Sequence, residues 1–355
     1  MLLGLGNSPD IFYKVHYIEW VGTSPFPTPL TRKENNMDKK IKIGIVGYGN
    51  LGMALEQDIL ESNNYEIVAI FSKRNISSPH GTKVEMQSDI ISYVGQIDIM
   101  LLCGGSYGEQ EEMTKELLKN FDTIDCFDTH AKMKEYSLAL NRIAKENKKV
   151  ALFGCGWDPG LFSIMRCIFD GISLDKSHTF WGKGLSQGHT NALKQINGVK
   201  DALQFTIPNK KILKKCKKDS SFVPPEKDKH SRLCYIVKEK TASAKEIIKN
   251  IRQMPNYFEG YKVNIKFVPQ AYLDKLKNDK SHRGQVFDNF SILGNHFEMW
   301  FGLDLESNAL FTARIMQTCI NALLSYKNHK KYGVYSMLDI PPKMYRAQDD
   351  AIKLL

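Results

Sequence analysis

Between Ile41 and Gly154, short apolar runs alternate with amphipathic stretches, and a glycine-rich turn, Gly47-Tyr48-Gly49-Asn50-Leu51-Gly52, separates the first run from the first helix. This alternation leaves few folds open. IKIGIV, EIVAIF, IDIMLLC, TIDCF and VALFG read as strands, with LGMALEQDILES, EQEEMTKELLKN and KMKEYSLALNRIAKENK as helices. Strands that are apolar throughout need cover on both faces, so the helices must cross over a parallel sheet. The reading is an α/β, Rossmann-type doubly wound parallel sheet, whose ligands lie beyond the carboxyl ends of its strands.

In such a turn Gly47 permits the tight bend, Gly49 removes a Cβ from the path of a pyrophosphate, and Gly52 lets helix and strand approach. Residues 47–52 are therefore predicted to bind a dinucleotide. An NAD site usually closes its second strand with Asp or Glu, about 20 residues past the turn. Here the chain reads Phe71-Ser72-Lys73-Arg74. Ser72 can donate a hydrogen bond, and Lys73 and Arg74 can neutralise a 2′-phosphate, so NADP is predicted. Cys103-Gly104-Gly105-Ser106 follows the third strand, where the backbone can approach a nicotinamide or pyrophosphate; Cys103 reads as a packing group, not a nucleophile.

Beyond Gly156 strands and helices stop alternating one by one. A second, α+β substrate domain on a mixed or antiparallel sheet is expected over residues 158–302, after a dinucleotide domain over 37–157. The segment 303–355, whose helix runs from about Asn308 to Tyr326, is expected to pack back on the first domain. Polar groups cluster where the domains should meet. Asp128 lies past the fourth strand and is preferred to Asp125, which reads as a turn or cap residue. Gly156-Trp157-Asp158-Pro159-Gly160 follows the fifth strand, with Trp157 as a wall and Asp158 on the rim of Asp128, or else as a helix cap. Two carboxylates beside a nicotinamide suit an ammonium substrate. Trp181, Gln187, Gly188 and His189 fall in a run dense with small and polar residues, and Arg232 and His282 are candidate donors to a substrate carboxylate.

Charge and cysteine usage exclude several classes. The 49 basic and 39 acidic residues give +10, but residues 210–218 alone hold six lysines, which reads as a solvated surface segment. No aromatic residues interleave with arginines as in a nucleic-acid surface, so no nucleic-acid partner is expected. No apolar run nears the roughly 20 residues of a membrane span. The seven scattered cysteines lack a CxxC pair, pointing to a reducing, cytoplasmic setting with neither a disulfide framework nor a metal site. Residues 1–36 show no sustained period and read as a flexible extension.

Taken together, IVGYGNLG at 45–52, FSKR at 71–74, GWDPG at 156–160, HTFWGKGLSQGHTNAL at 178–193 and MPNYFEGY at 254–261 resemble the bacterial meso-diaminopimelate dehydrogenases, over about residues 41–340. The resemblance implies a homodimeric, NADP-dependent enzyme whose middle domain binds substrate and dimerises. Its reaction would be reversible oxidative deamination of meso-2,6-diaminopimelate at the D-centre, giving L-2-amino-6-oxopimelate and ammonia. It also implies that Asp128, Asp158 and Trp181 hold the reacting centre, that Gln187 and Gly188 line the same pocket, and that Thr206, Arg232, His282 and Asn308 bind the distal L-amino-acid end. Leu161, where a Met is common, and the NDKSHRGQ surroundings of His282 depart from the pattern. A broader D-amino acid dehydrogenase would not need the distal group; a non-catalytic redox sensor would need neither carboxylate.

Overall fold

The strand Ile99–Leu102 shows the rule that builds the first domain. Ile99 and Leu101 join the apolar cluster on one side of the sheet, Met100 and Leu102 the cluster on the other, and all four are fully buried. Side chains that alternate faces yet are all buried require the continuous apolar run seen in the sequence. The structure, a computed structural model, describes residues 40–104, 109–129, 132–279 and 281–346; the extension at 1–36 and Gly105 and Ser106 of the cofactor segment lie outside them.

The first domain runs β1 (Ile41–Val46), α1 (Asn50–Leu60), β2 (Tyr65–Ser72), β3 (Val84–Met86), β4 (Ile99–Leu102), α2 (Glu109–Leu117), β5 (Asp122–Asp125), α3 (Met133–Glu146) and β6 (Val150–Phe153). The second follows as α4 (Leu161–Ser173), β7 (His178–Trp181), β8 (Gly184–Leu185), α5 (Gln187–Lys194), β9 (Val199–Pro208), α6 (Lys210–Lys218), β10 (His230–Lys238), α7 (Ala244–Arg252), β11 (Lys262–Phe267), α8 (Gln270–Leu276), β12 (His282–Ile292) and β13 (Asn295–Leu305). The chain then returns through α9 (Asn308–Asn328) and β14 (Gly333–Ser336).

The first sheet is parallel throughout, in the order β3-β2-β1-β4-β5-β6-β14. α9 buries Ala313, Met316, Cys319, Ile320 and Leu323 in the same cluster as Ile43, Ile45, Ile99, Leu101, Ile124 and Leu152, and Lys327 pairs with the buried Asp122 of β5 at 2.7 Å. The second domain contains two sheets, not one. β11-β10-β9-β8 is mixed, with β10 and β11 parallel, and β13-β12-β7 is antiparallel. In the lysine-rich α6, Ile212, Leu213 and Cys216 pack inward beside Phe180 and Phe287 while the lysines face out, so this surface segment is also a lid on a small core.

Candidate active site

The turn after β1 has the form a pyrophosphate needs. Gly47 has φ +92°, and a Cβ there would stand 3.0 Å from the carbonyl oxygen of Cys103; a Cβ on Gly52 would collide with the carbonyl of Gly47. Over Gly49 there is open space, and Asn50 and Leu51 begin α1, whose first turn carries no acidic residue to compete for its N–H groups. Tyr48 is pinned from below. Its hydroxyl donates to Glu56, a buried carboxylate that also accepts from Ser78. Burial opposes charge on Glu56, yet hydrogen bonds from Ser78, Thr82 and Tyr48 hold its carboxyl below the usual range. Arg74 then donates from Nη2 to the Tyr48 carbonyl at 3.2 Å, and its backbone N–H donates to the buried Ser72 hydroxyl at 3.0 Å. Lys73 and Arg74 are exposed, and no carboxylate closes β2. These residues fit NADP: a hydroxyl and two cations where its 2′-phosphate would lie, and a Cβ-free path for its pyrophosphate. Beside the turn, burial pushes the Cys103 thiol well above its usual pKa, which suits a packing group, and a Cβ on Gly104 would press on Met113.

At the ends of β5 and β6 the carboxylates separate by role. Asp125 is buried and accepts from the Tyr136 hydroxyl at 2.6 Å and from the N–H groups of Phe127 and Gly154, tying two strand ends together. Burial pushes its pKa up to about 6 despite those bonds. Asp128, three residues on, is exposed at the rim. Asp158 does not cap α4, a place taken by Gly160. Its carboxylate, 1% exposed, accepts from Arg166 in a two-pronged contact, Nη2 to Oδ1 at 2.6 Å and Nη1 to Oδ2 at 3.2 Å, and from the indole N–H of Trp181. Trp157 lies edge-on to His282, ring centres 6.2 Å apart, and to Phe162.

Trp181 leads to the distal group. Its backbone N–H donates to Nε2 of His230 at 2.8 Å, and the two rings lie 4.9 Å apart. His230 and Arg232 are two apart on β10, hence on one face about 7 Å apart along the strand. Register sets Arg232 opposite Thr206, and Thr206 opposite Gly184. Arg232 donates from Nη1 to the Thr206 hydroxyl at 2.9 Å and lies over the Tyr261 ring at 4.3 Å. It is 8% exposed, its Nε has no hydrogen-bond partner, and among the described residues no carboxylate forms an ion pair with it. Burial lowers its pKa. His189 and His230 are driven down to about 3, by burial first and then by the Arg232 charge, so both are neutral. A Cβ on Gly184 would touch the ring of His282, which brings His282 to the same wall despite its unusual surroundings. Gln187 and Gly188 open α5 next to this group, with Gln187 exposed and bonded to Asn191 at 3.0 Å. Asn308 opens α9 and accepts from Thr312, whose methyl faces Gly156. It is thus Thr312, one helical turn on, that meets the GWDPG turn, and among the described residues no hydrogen bond joins Asn308 to Arg232.

Arg166, His230 and Tyr261 were not singled out from sequence. A lone Arg in the otherwise apolar LFSIMRCIF was the signal for the first, and two-residue spacing from Arg232 for the second.

Against known proteins, the family profile described as Diaminopimelic acid dehydrogenase C-terminal domain matches residues 156–307. The meso-diaminopimelate D-dehydrogenase of Ureibacillus thermosphaericus is 36% identical over 307 residues, 85% of this chain and 94% of that protein. Among solved structures, the C. glutamicum DAP dehydrogenase in complex with DAP is 32% identical, with a TM-score of 0.84 over 88% of this chain and 98% of that one. An engineered D-amino acid dehydrogenase bound to NADP+ is 31% identical, with a TM-score of 0.83 over 89% and 99%. Extending over both domains, these similarities establish that the chain belongs to the meso-diaminopimelate D-dehydrogenase family.

Proposed function

We propose that this protein catalyses the NADP-dependent, reversible oxidative deamination of meso-2,6-diaminopimelate at its D-centre, giving L-2-amino-6-oxopimelate and ammonia. One observation carries the substrate reading: Arg232 is buried over the Tyr261 ring, and among the described residues no carboxylate pairs with it. A buried, uncompensated guanidinium costs several kcal/mol, and a ligand carboxylate is the partner that relieves it. A simple D-amino acid has no second carboxylate to offer.

Bound NADP supplies the hydride acceptor. The remaining work falls to side chains. Asp128 and Asp158 recognise the ammonium group and then favour the cationic imine left when the D-centre loses its hydride. Trp157 and Trp181 wall the reacting end and limit water to what hydrolysis of the imine consumes. Thr206, Arg232, His282 and Asn308 bind the L-end, with Gln187 and Gly188 lining the pocket between. Both ends are 2-amino acids, so stereochemistry rests on which end the clamp accepts.

Homodimerisation is part of the same reading. Ile292, Leu293, Phe297 and Trp300 are exposed along the β12–β13 hairpin, whose outer strand is a sheet edge, an apolar face suited to a second copy. No helix among the described residues is long and apolar enough to cross a membrane. The free thiols of all seven cysteines support a reducing, cytoplasmic setting.

NADPH formation should be followed with meso-, L,L- and D,D-diaminopimelate and with simple D-amino acids. The meso isomer should dominate. Comparable rates on D-alanine would favour the broader D-amino acid dehydrogenase instead.

A further inference from the structure

We propose that Glu56 is a positioning residue for the 2′-phosphate of NADP: it ties Tyr48 of the glycine turn to Ser78 and Thr82 beyond β2, and so holds the segment that carries Lys73 and Arg74 beside the turn. The inference rests on the NADP reading above and deepens it, because it names what fixes the two cations in place.

Glu56 lies in the second turn of α1, four residues past Gly52, and is fully buried. A carboxylate taken out of water is costly unless donors meet it. Here the Tyr48 hydroxyl donates to Oε2 and the Ser78 hydroxyl to Oε1, with Thr82 as a third partner. These hydroxyls come from two separate stretches of chain. Tyr48 belongs to the turn after β1, whereas Ser78 and Thr82 fall between Ser72, where β2 ends, and Val84, where β3 begins. No helix or strand spans that interval. Ile76 packs against the main core cluster, and the Ser78 hydroxyl accepts from the His80 N–H at 3.0 Å. Arg74 donates from Nη2 to the Tyr48 carbonyl at 3.2 Å. One end of Tyr48 thus meets the cation and the other meets the carboxylate that straps the cation's own segment.

Exposed cations on an irregular segment bind weakly, since fixing the segment and the long side chains costs entropy when the anion arrives. A segment already anchored in the free protein avoids much of that cost. An ionised Glu suits the anchor because both of its oxygens only accept, so three hydroxyls can donate to it at once. A Gln of the same shape keeps one oxygen and turns an N–H donor toward a hydroxyl. NAD has no 2′-phosphate for Arg74 to meet. Glu56 therefore bears on the choice between the two cofactors, and much less on the pyrophosphate grip they share.

The test is calorimetric titration of the full-length protein with NADP and with NAD, in the absence of substrate, for wild type, Glu56→Gln, Ser78→Ala and the double variant. Wild type should bind NADP more tightly. In Glu56→Gln, Kd for NADP should rise about tenfold, the scale of one charge-assisted hydrogen bond, with Kd for NAD within about twofold of wild type. Ser78→Ala should raise Kd for NADP about threefold. The double variant should match Glu56→Gln within about twofold, because both changes cut one contact. A folded Glu56→Gln protein with wild-type Kd for NADP overturns the proposal, and so does an equal loss for NADP and NAD, which would make Glu56 a support of the turn alone. If Glu56→Gln fails to fold, Ser78→Ala decides, and an unchanged ratio of the two Kd values there overturns it. Failure of the cofactor reading shows elsewhere: wild type itself would bind NAD as tightly as NADP, and the proposal would fall with it.

Discussion

Lys73 and Arg74, at the proposed cofactor end, stand in solvent, whereas Arg232, at the proposed substrate end, is buried over Tyr261, and its charge helps keep His189 and His230 neutral. Both groups suit an anion, a phosphate in one case and a carboxylate in the other. Their surroundings set how the charge acts. Exposed cations attract at long range, exchange quickly with water and are screened by salt. A buried cation is costly until its partner arrives, and so discriminates sharply against any ligand without one. A dehydrogenase that must release its cofactor each cycle, yet reject substrates lacking a distal carboxylate, gains from placing the open site and the closed site in that order.

The sharpest break in this contrast is Arg232→Ala. It should cost roughly 2–5 kcal/mol in transition-state binding of meso-diaminopimelate, about 30- to several-thousand-fold in kcat/KM. For a simple D-amino acid the change should stay under about threefold. Steady-state kinetics on both substrates check it, and equal proportional losses would mean that Arg232 does not act through the distal end. Second in size is Lys73→Ala with Arg74→Ala. Because both cations are exposed, the pair is worth about 1–3 kcal/mol, seen as a raised KM for NADP with that for NAD nearly unchanged. Salt sharpens the comparison: going from low ionic strength to about 0.5 M should raise KM for NADP several-fold in wild type, and clearly less in the double variant. The smallest effect is with pH. The 2′-phosphate takes up a proton near pH 6, so KM for NADP should climb as pH falls from 7 to 5. His189 and His230, with pKa values lowered to about 3, stay neutral over that range. Preference for meso-diaminopimelate over a simple D-amino acid should therefore hold within about threefold from pH 5 to 8. A loss of preference below pH 6 would mean that an imidazole of the clamp, His282 included, takes up a proton in that range.

The two sites also differed in how far they could be read from the chain. The open one is local: a strand, a turn and a strand end lie within residues 41–74, and each residue's neighbours in space are close to its neighbours in sequence. The five central strands were equally plain as apolar runs. β3 and β14, three and four residues at the edges of the sheet, carry too little pattern to announce themselves. The closed site is assembled by register. Arg232 alone looks like one more surface cation among 49 basic residues. Only its pairing with Thr206 across β9 and its stack on Tyr261 reveal that it is buried, and family resemblance supplied the role before any physical argument could. For Asp158 the chain left a rim carboxylate and a helix cap both open; the structure rules out the cap and buries the carboxylate against Arg166, eight residues further on, a partner that no local pattern announces.

The return of α9 and β14 to the first sheet has a consequence for the order of events on the ribosome. The glycine turn and the β2 end have been synthesised by residue 74, and all but one strand of the sheet by residue 153, yet the helix that covers Ile43, Ile45, Leu101 and Ile124 emerges only after the entire second domain. The nascent protein therefore carries a half-finished sheet, greasy on one face and open at the β6 edge, while more than 150 further residues are translated. During that interval the middle domain can fold on its own strands, but the first cannot close. A chain stalled or cut before Asn308 would present that face to chaperones and to other unfinished copies, making late translation the step at which this enzyme is most exposed to aggregation.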